Sequence, residues 1–72
     1  MADPDLKAFV KMPWTKDRIY VLRAKLRLTQ SEFAHRLGVT FVSVNRWENG
    51  NAIPRGLSIK ALNDLEKESN GV

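Results

Sequence analysis

Apolar residues recur at helical spacing in four stretches of this 72-residue chain, and capping residues flank them. Ile19, Leu22 and Leu26 lie at i, i+3 and i+7 and predict a first helix over residues 16–27. Thr15 is placed to cap it, with Asp17 in the first turn and Lys25 and Arg27 in the last, as the helix dipole favours. Trp14 and Ile19 have the N′–N4 spacing of a hydrophobic staple. Thr29-Gln30-Ser31-Glu32 fits a capping box and opens a second helix whose inward face is Phe33, Ala34 and Leu37, with Gly38 at its end. Thr40 caps a third helix over residues 41–48, which turns Val44 and Trp47 inward and ends at Asn49-Gly50. A loop over 51–56 contains Pro54. Ser58 is then the candidate cap of a last helix reaching about residue 67, with Leu57 a candidate first helical residue, and Leu57, Ala61, Leu62 and Leu65 as its stripe. Residues 39–44 have some β-branched character, but the caps around them argue for helix. The expected class is all-α, a compact bundle of four or five helices.

The ends fit this picture less well. Residues 1–13 carry Pro4 and Pro13 and only Leu6, Phe9 and Val10 as strong apolar residues, so they are expected to be a weakly ordered arm, or a short helical turn docked on the body. Residues 14–68 form the expected domain, and residues 69–72 should fray. Nothing here resembles a signal peptide, and no apolar run is long enough to span a membrane.

Composition narrows the function. Cysteine is absent and histidine occurs once, so disulfides and thiolate metal sites are excluded and no metal or other cofactor is expected. A core in a chain this short rarely supplies more than about 3–5 kcal/mol, which leaves packed helices, with or without a partner subunit, to hold it. The net charge of +4 is unevenly spread: residues 6–60 hold 11 Lys/Arg against three acids, while both ends are acidic. A basic body suits phosphate; the alternative is a solvated basic surface. No Ser/His/Asp set, paired-carboxylate site or Gly-rich phosphate loop is visible, so an enzyme is not expected. His35 reads as a surface residue on the outer side of the second helix.

The second and third helices carry the functional signal. Ala34 is small where two helices approach closely, Gly38 permits a sharp turn, and Leu37, Val39, Val44 and Trp47 can bury together beneath the pair. Together these spacings indicate a helix-turn-helix, against the alternative of an ordinary helical hairpin. With Val44 and Trp47 inward, Phe41, Val42, Asn45 and Arg46 point outward. A helix so placed lies in the major groove of double-stranded DNA, with Arg46 suited to guanine, Asn45 to adenine or a phosphate, and Phe41 and Val42 to thymine methyl groups. The competing use of Phe41 and Val42 is an apolar patch for a protein partner.

From Trp14 to about Leu65 the chain resembles the Cro and phage-repressor type of helix-turn-helix, also called XRE-like. The matching residues are Leu22-Arg23, the run from Leu28 to Ala34, Leu37-Gly38-Val39-Thr40, Val44, the run Arg46-Trp47-Glu48-Asn49-Gly50, and Pro54. The resemblance implies a lambda-repressor-like fold and a sequence-specific transcriptional regulator, a repressor, that binds a near-palindromic operator as a homodimer. Such a protein works in the cytoplasm, associated with a bacterial, archaeal or phage nucleoid. The family usually has a fifth helix; this chain stops after the fourth, as some small regulators and antitoxin-like proteins do. The resemblance also implies an ion pair between Arg23 and Glu48; an acid ending a helix opposes its dipole and needs a cation. Gln30 matches a position that grips the DNA backbone, where free N–H groups attract phosphate in any case. Thr40, Ser43, Asn49 and Arg55 are further phosphate candidates, although capping alone accounts for Thr40 and Ser43. Lys7, Lys11 and Lys16 add non-specific attraction. Two alternatives share this fold. One is an antitoxin-like or protein-interaction module using Phe41, Val42 and Trp14 or the last helix; the other is the DNA-targeting domain of a larger protein.

Overall fold

The computed structural model describes residues 13–70, and the expected N-terminal arm, with Leu6, Lys7, Phe9, Val10 and Lys11, lies outside them, as do Gly71 and Val72. Four helices follow in order: α1 (Lys16–Leu26), α2 (Gln30–Leu37), α3 (Phe41–Glu48) and α4 (Leu57–Asn70), with no strand among the described residues. The fold is all-α, a helix-turn-helix bundle.

Local chemistry sets the first three starts. The hydroxyls of Thr15, Thr29 and Thr40 accept from the backbone N–H of Arg18, Glu32 and Ser43 respectively. At α2 the box closes, because Glu32 Oε1 accepts from the Thr29 N–H at 2.8 Å. Each cap satisfies a donor that the helix itself leaves open. The three helix ends share one geometry. Leu28, Val39 and Asn51 donate five residues back, to the carbonyls of Arg23, Ala34 and Arg46. The residue just before each donor takes the left-handed conformation this needs: Arg27, Gly38 and Gly50. Glycine occupies two of these positions without a Cβ penalty; Arg27, at φ 58°, does not have that freedom and stands outside α1 rather than as its last residue.

The core gathers Trp14, Ile19, Leu22, Phe33, Ala34, Leu37, Val44, Trp47, Leu62 and Leu65, all buried. Helix α3 packs on α2 and α1, and α4 packs on α1 and α2. Trp14 is buried at 5 % exposure, with its indole N–H donated to Asn63 Oδ1 at 2.9 Å, so it cannot serve the protein-partner surface expected for it. Arg18 stacks over the Trp14 ring 3.8 Å from its centroid and pairs with Glu66 at 2.8 Å, tying the start of α1 to α4.

Helix α4 departs from its expected form in three ways. Ser58 does not cap it, because the helix already starts at Leu57, the alternative the sequence allowed. Leu57 is 84 % exposed and is no part of the stripe. At 100° per residue Leu57 stands about 140° around the axis from Leu62, so both cannot face the core. The helix also continues through Ser69 and Asn70, expected to fray; Lys25 donates to Asn70 Oδ1 at 2.8 Å and holds that end against α1.

Candidate nucleic-acid interface

The α2–Gly38–α3 unit follows from four small decisions in the sequence. Gly38 adopts φ 75° and lets the chain reverse direction immediately after Leu37. Ala34 is 3 % exposed and takes little space where α2 meets α3. Val44 is fully buried and Trp47 nearly so, which fixes the rotation of α3 about its own axis. The residues between them then face outward.

The rear of α3 is anchored by a charge pair. Arg23 donates Nε and one terminal nitrogen to Glu48 at 2.7 and 2.8 Å, and its other terminal nitrogen to the Leu28 carbonyl at 2.9 Å. Its guanidinium lies 5.4 Å from the Tyr20 ring centroid. One side chain thus fixes the loop after α1 and the last turn of α3. Burial pushes the Glu48 carboxyl up, but hydrogen bonds from Arg23 and Gln30, with the charge of Arg23, outweigh it, and the net displacement is downward. The hydrogen bond to Glu48 holds the Arg23 guanidinium above its ordinary range. The carboxylate therefore stays ionised where it opposes the helix dipole.

Along the outer face the candidate residues fall into three groups. Phe41, Val42 and Arg46 are exposed, Phe41 at 48 % and Val42 at 60 %, and the Arg46 side chain makes no hydrogen bond or ion pair with a described residue. Thr40 and Ser43 are occupied at the cap of α3, their hydroxyls 3.1 Å apart, with Thr40 still exposed. Gln30, Asn45 and Asn49 are linked to one another: Asn45 donates to Gln30 at 3.2 Å and Asn49 to Asn45 at 3.1 Å. Gln30 also donates to Glu48 at 3.1 Å. Spacing alone puts Asn45 and Asn49 together, one turn apart on a helix; the link to Gln30 depends on how α2 meets α3 and has no signature in the sequence. Arg55 is exposed in the loop before α4.

The acids of α4 pair with cations of the scaffold: Glu66 with Arg18, Glu68 with Arg36, and Asp64 with Lys60. Arg46, Arg55 and Lys16 form no ion pair with a described residue, and neither do Lys25, Arg27 and Lys67. Lys16 belongs to the α3 side, because its Cδ lies 3.6 Å from where a side chain at Gly50 would begin. The Arg18 pairings have no signature in the sequence, because Trp14 lies ahead of α1 and Glu66 is on another helix. Among the described residues no group of His, Asp or Glu is arranged to hold a metal ion, and no helix is long and apolar enough to cross a membrane.

A family described as helix-turn-helix matches residues 19–67. No curated protein and no solved structure matches the chain.

Proposed function

Because the chain belongs to the Cro/C1-type helix-turn-helix family of DNA-binding domains, we propose that it binds double-stranded DNA sequence-specifically, with α3 in the major groove, and regulates transcription as a repressor. The observation that carries this reading is the isolation of Arg46. It is an exposed cation on a helix whose other side is locked into the core, and guanine O6 and N7 are the partners its fork fits best. Phe41 and Val42 meet thymine methyl groups, and Asn45 adds a hydrogen-bonding group beside Arg46. Gln30, Thr40, Ser43, Asn49 and Arg55 meet phosphates on either side of the groove. The backbone N–H groups of Gln30 and Ser31, ahead of the capped Glu32, add donors at the start of α2. Arg23, Glu48, Ala34, Gly38, Val44 and Trp47 hold the geometry. A homodimer would set two copies of α3 about 34–36 Å apart on one face of the duplex. The protein then works in the cytoplasm, at the nucleoid.

The test is a fluorescence-anisotropy titration with random genomic duplex, followed by selection from a randomised pool. A steep salt slope and recovery of a near-palindrome support the reading. Absence of binding at about 50 mM salt overturns it, since phosphate contacts strengthen as salt falls. The second reading, a protein-interaction or antitoxin-like module, is favoured by one observation: Phe41 and Val42 are both exposed at the tip of α3. A protein that binds no DNA under those conditions would belong there.

A further inference from the structure

Glu48 roots a row of polar side chains along the seam between α2 and α3. Its carboxylate, held ionised by Arg23, can only accept hydrogen bonds. Gln30 therefore turns its amide nitrogen toward it, which leaves Gln30 Oε1 facing the other way. That oxygen also only accepts, so Asn45 presents Nδ2 to it. Asn45 Oδ1 is then left for Asn49, which donates in turn. The two ends of a side-chain amide have nearly the same shape, and only the hydrogen bonds decide which faces where. Here one carboxylate decides it for three amides in succession. Asn49, exposed at the outer end, is left showing an oxygen and one N–H; Asn45, half-buried, is left with one N–H.

We propose that the Arg23–Glu48 pair, from behind the interface, sets the donor–acceptor polarity of the DNA-facing rim through Gln30, Asn45 and Asn49, with Asn45 as the central positioning residue. This rests on the DNA-binding reading and deepens it. Two-point recognition of adenine needs both Oδ1 and Nδ2 of an asparagine, and in Asn45 each already has one protein partner, which fixes the orientation of the amide and leaves one N–H and one lone pair. Asn45 instead holds Gln30 and Asn49 in one orientation before DNA arrives, so less ordering is left for the complex. The polarity of the row bears on base preference beside Arg46, and the same preset orientation serves the phosphate contacts of Gln30 and Asn49.

The experiment compares the full chain with Asn45→Ala and Asn45→Asp. NMR of the free proteins follows the side-chain carbonyl-carbon resonance of Gln30, whose oxygen accepts from Asn45, and the side-chain N–H resonances of Asn49, which donates to it. Selection from a randomised duplex pool follows base preference. Alanine removes both links, so both resonances move toward free-amide positions. Aspartate can still accept from Asn49 but cannot donate to Gln30, so the Gln30 resonance moves and that of Asn49 stays hydrogen-bonded. In Asn45→Ala, preference at the affected base positions falls by about fivefold, the lower end of what one base contact discriminates. Binding to random duplex at about 50 mM salt falls by less than binding to the selected site, because Thr40, Ser43 and Arg55 keep their phosphate contacts and Gln30 and Asn49 lose only their preset orientation. A Gln30 resonance unmoved in both variants overturns the chain of contacts. An unchanged base profile, or a uniform loss over all sequences, overturns its role in selectivity. None of these outcomes touches the DNA-binding reading, whereas a wild-type chain that binds no duplex removes that reading and this proposal together.

Discussion

Replacing Glu48 by glutamine removes one charge with almost no change of shape, and the structure predicts a large loss. The Glu48 side chain is 8 % exposed and that of Arg23 18 %. Glu48 accepts from two nitrogens of Arg23 and from Gln30. Glutamine offers a single oxygen and turns an NH2 group toward donors, so at least one of those nitrogens loses its acceptor while the guanidinium stays charged and mostly enclosed. Breaking one side of a buried pair costs about 3–5 kcal/mol and an exposed pair is worth under about 1 kcal/mol. With these exposures the loss should sit near the lower end of the buried range, about 3 kcal/mol. At about 0.05–0.15 kcal/mol per residue, a chain of this length holds about 4–11 kcal/mol in total, so the loss is a large share of it. The variant's thermal midpoint should fall by about 12–24 °C. Urea unfolding read by tryptophan fluorescence is the direct assay, because Trp14 and Trp47 both sit in the core. Acidity gives a second axis. A carboxyl lowered in the folded state contributes stability that is complete above its unfolded value, about 4.3, and is lost as pH falls through the folded one. The gap between wild type and variant is therefore full at neutral pH and closes below about pH 4. A loss under about 0.5 kcal/mol at neutral pH, the level of an ordinary surface change, would refute the argument.

Three further outcomes are expected. Arg46→Ala should weaken specific DNA binding by about 1–3 kcal/mol and relax one base position; an equal loss over all sequences in a binding selection would make Arg46 a phosphate contact only. Arg27→Gly should stabilise the fold by up to about 1 kcal/mol in urea unfolding, because it relieves a left-handed residue that carries a Cβ, and a destabilised variant would contradict this. Leu62→Ala should cost about 2–5 kcal/mol while Leu57→Ser changes stability by no more than about 0.5 kcal/mol, so comparable losses from the two in thermal melts would contradict the assigned face of α4.

Much of the fold could be read from the chain because its signals are local. A threonine at a cap acts on a backbone N–H three residues away, so Thr15, Thr29 and Thr40 could be placed without knowing what surrounds them. The inward pair Val44 and Trp47 follows from helical period in the same way. Helix α4 was harder for a physical reason. Its first turn overhangs the core, and an apolar residue there looks like part of the stripe although its angle turns it away. Side-chain chemistry was legible where both partners lie on one helix, and across helices only for Arg23 and Glu48, whose pairing the family resemblance implied. The row from Glu48 to Asn49 needs residue 30 beside residues 45 and 48, a juxtaposition made by the turn at Gly38 and by no periodicity. Arg27 shows the opposite failure: a basic residue suits a helix end electrostatically, yet the chain uses this one at a backbone position better suited to glycine.

The acids of α4 bear on recognition more than on stability. Two of their pairs, Arg36–Glu68 and Lys60–Asp64, are substantially exposed, and such pairs contribute under about 1 kcal/mol each. Their larger effect is on the field around the molecule. Each cancels a cation on the scaffold, while Arg46, Arg55 and Lys16 keep their charge unopposed by any described residue. The cations left without an ion pair among the described residues include Arg46 on α3 and Lys16 beside Gly50, which put positive charge on that side of the molecule. In the proposed complex this orients the approach to a polyanion before any base is read, since steering depends on where charge lies as well as on its sum. Recognition is then divided by chemistry along α3. Phe41 and Val42 at its start carry no hydrogen-bonding side-chain group and can sense only methyl groups and shape, whereas Arg46, one turn further on, is the strongest donor. A head of this kind should discriminate weakly at the positions under its first turn and sharply at one guanine, which makes the orientation of the neighbouring amides matter more than it would beside a polar first turn.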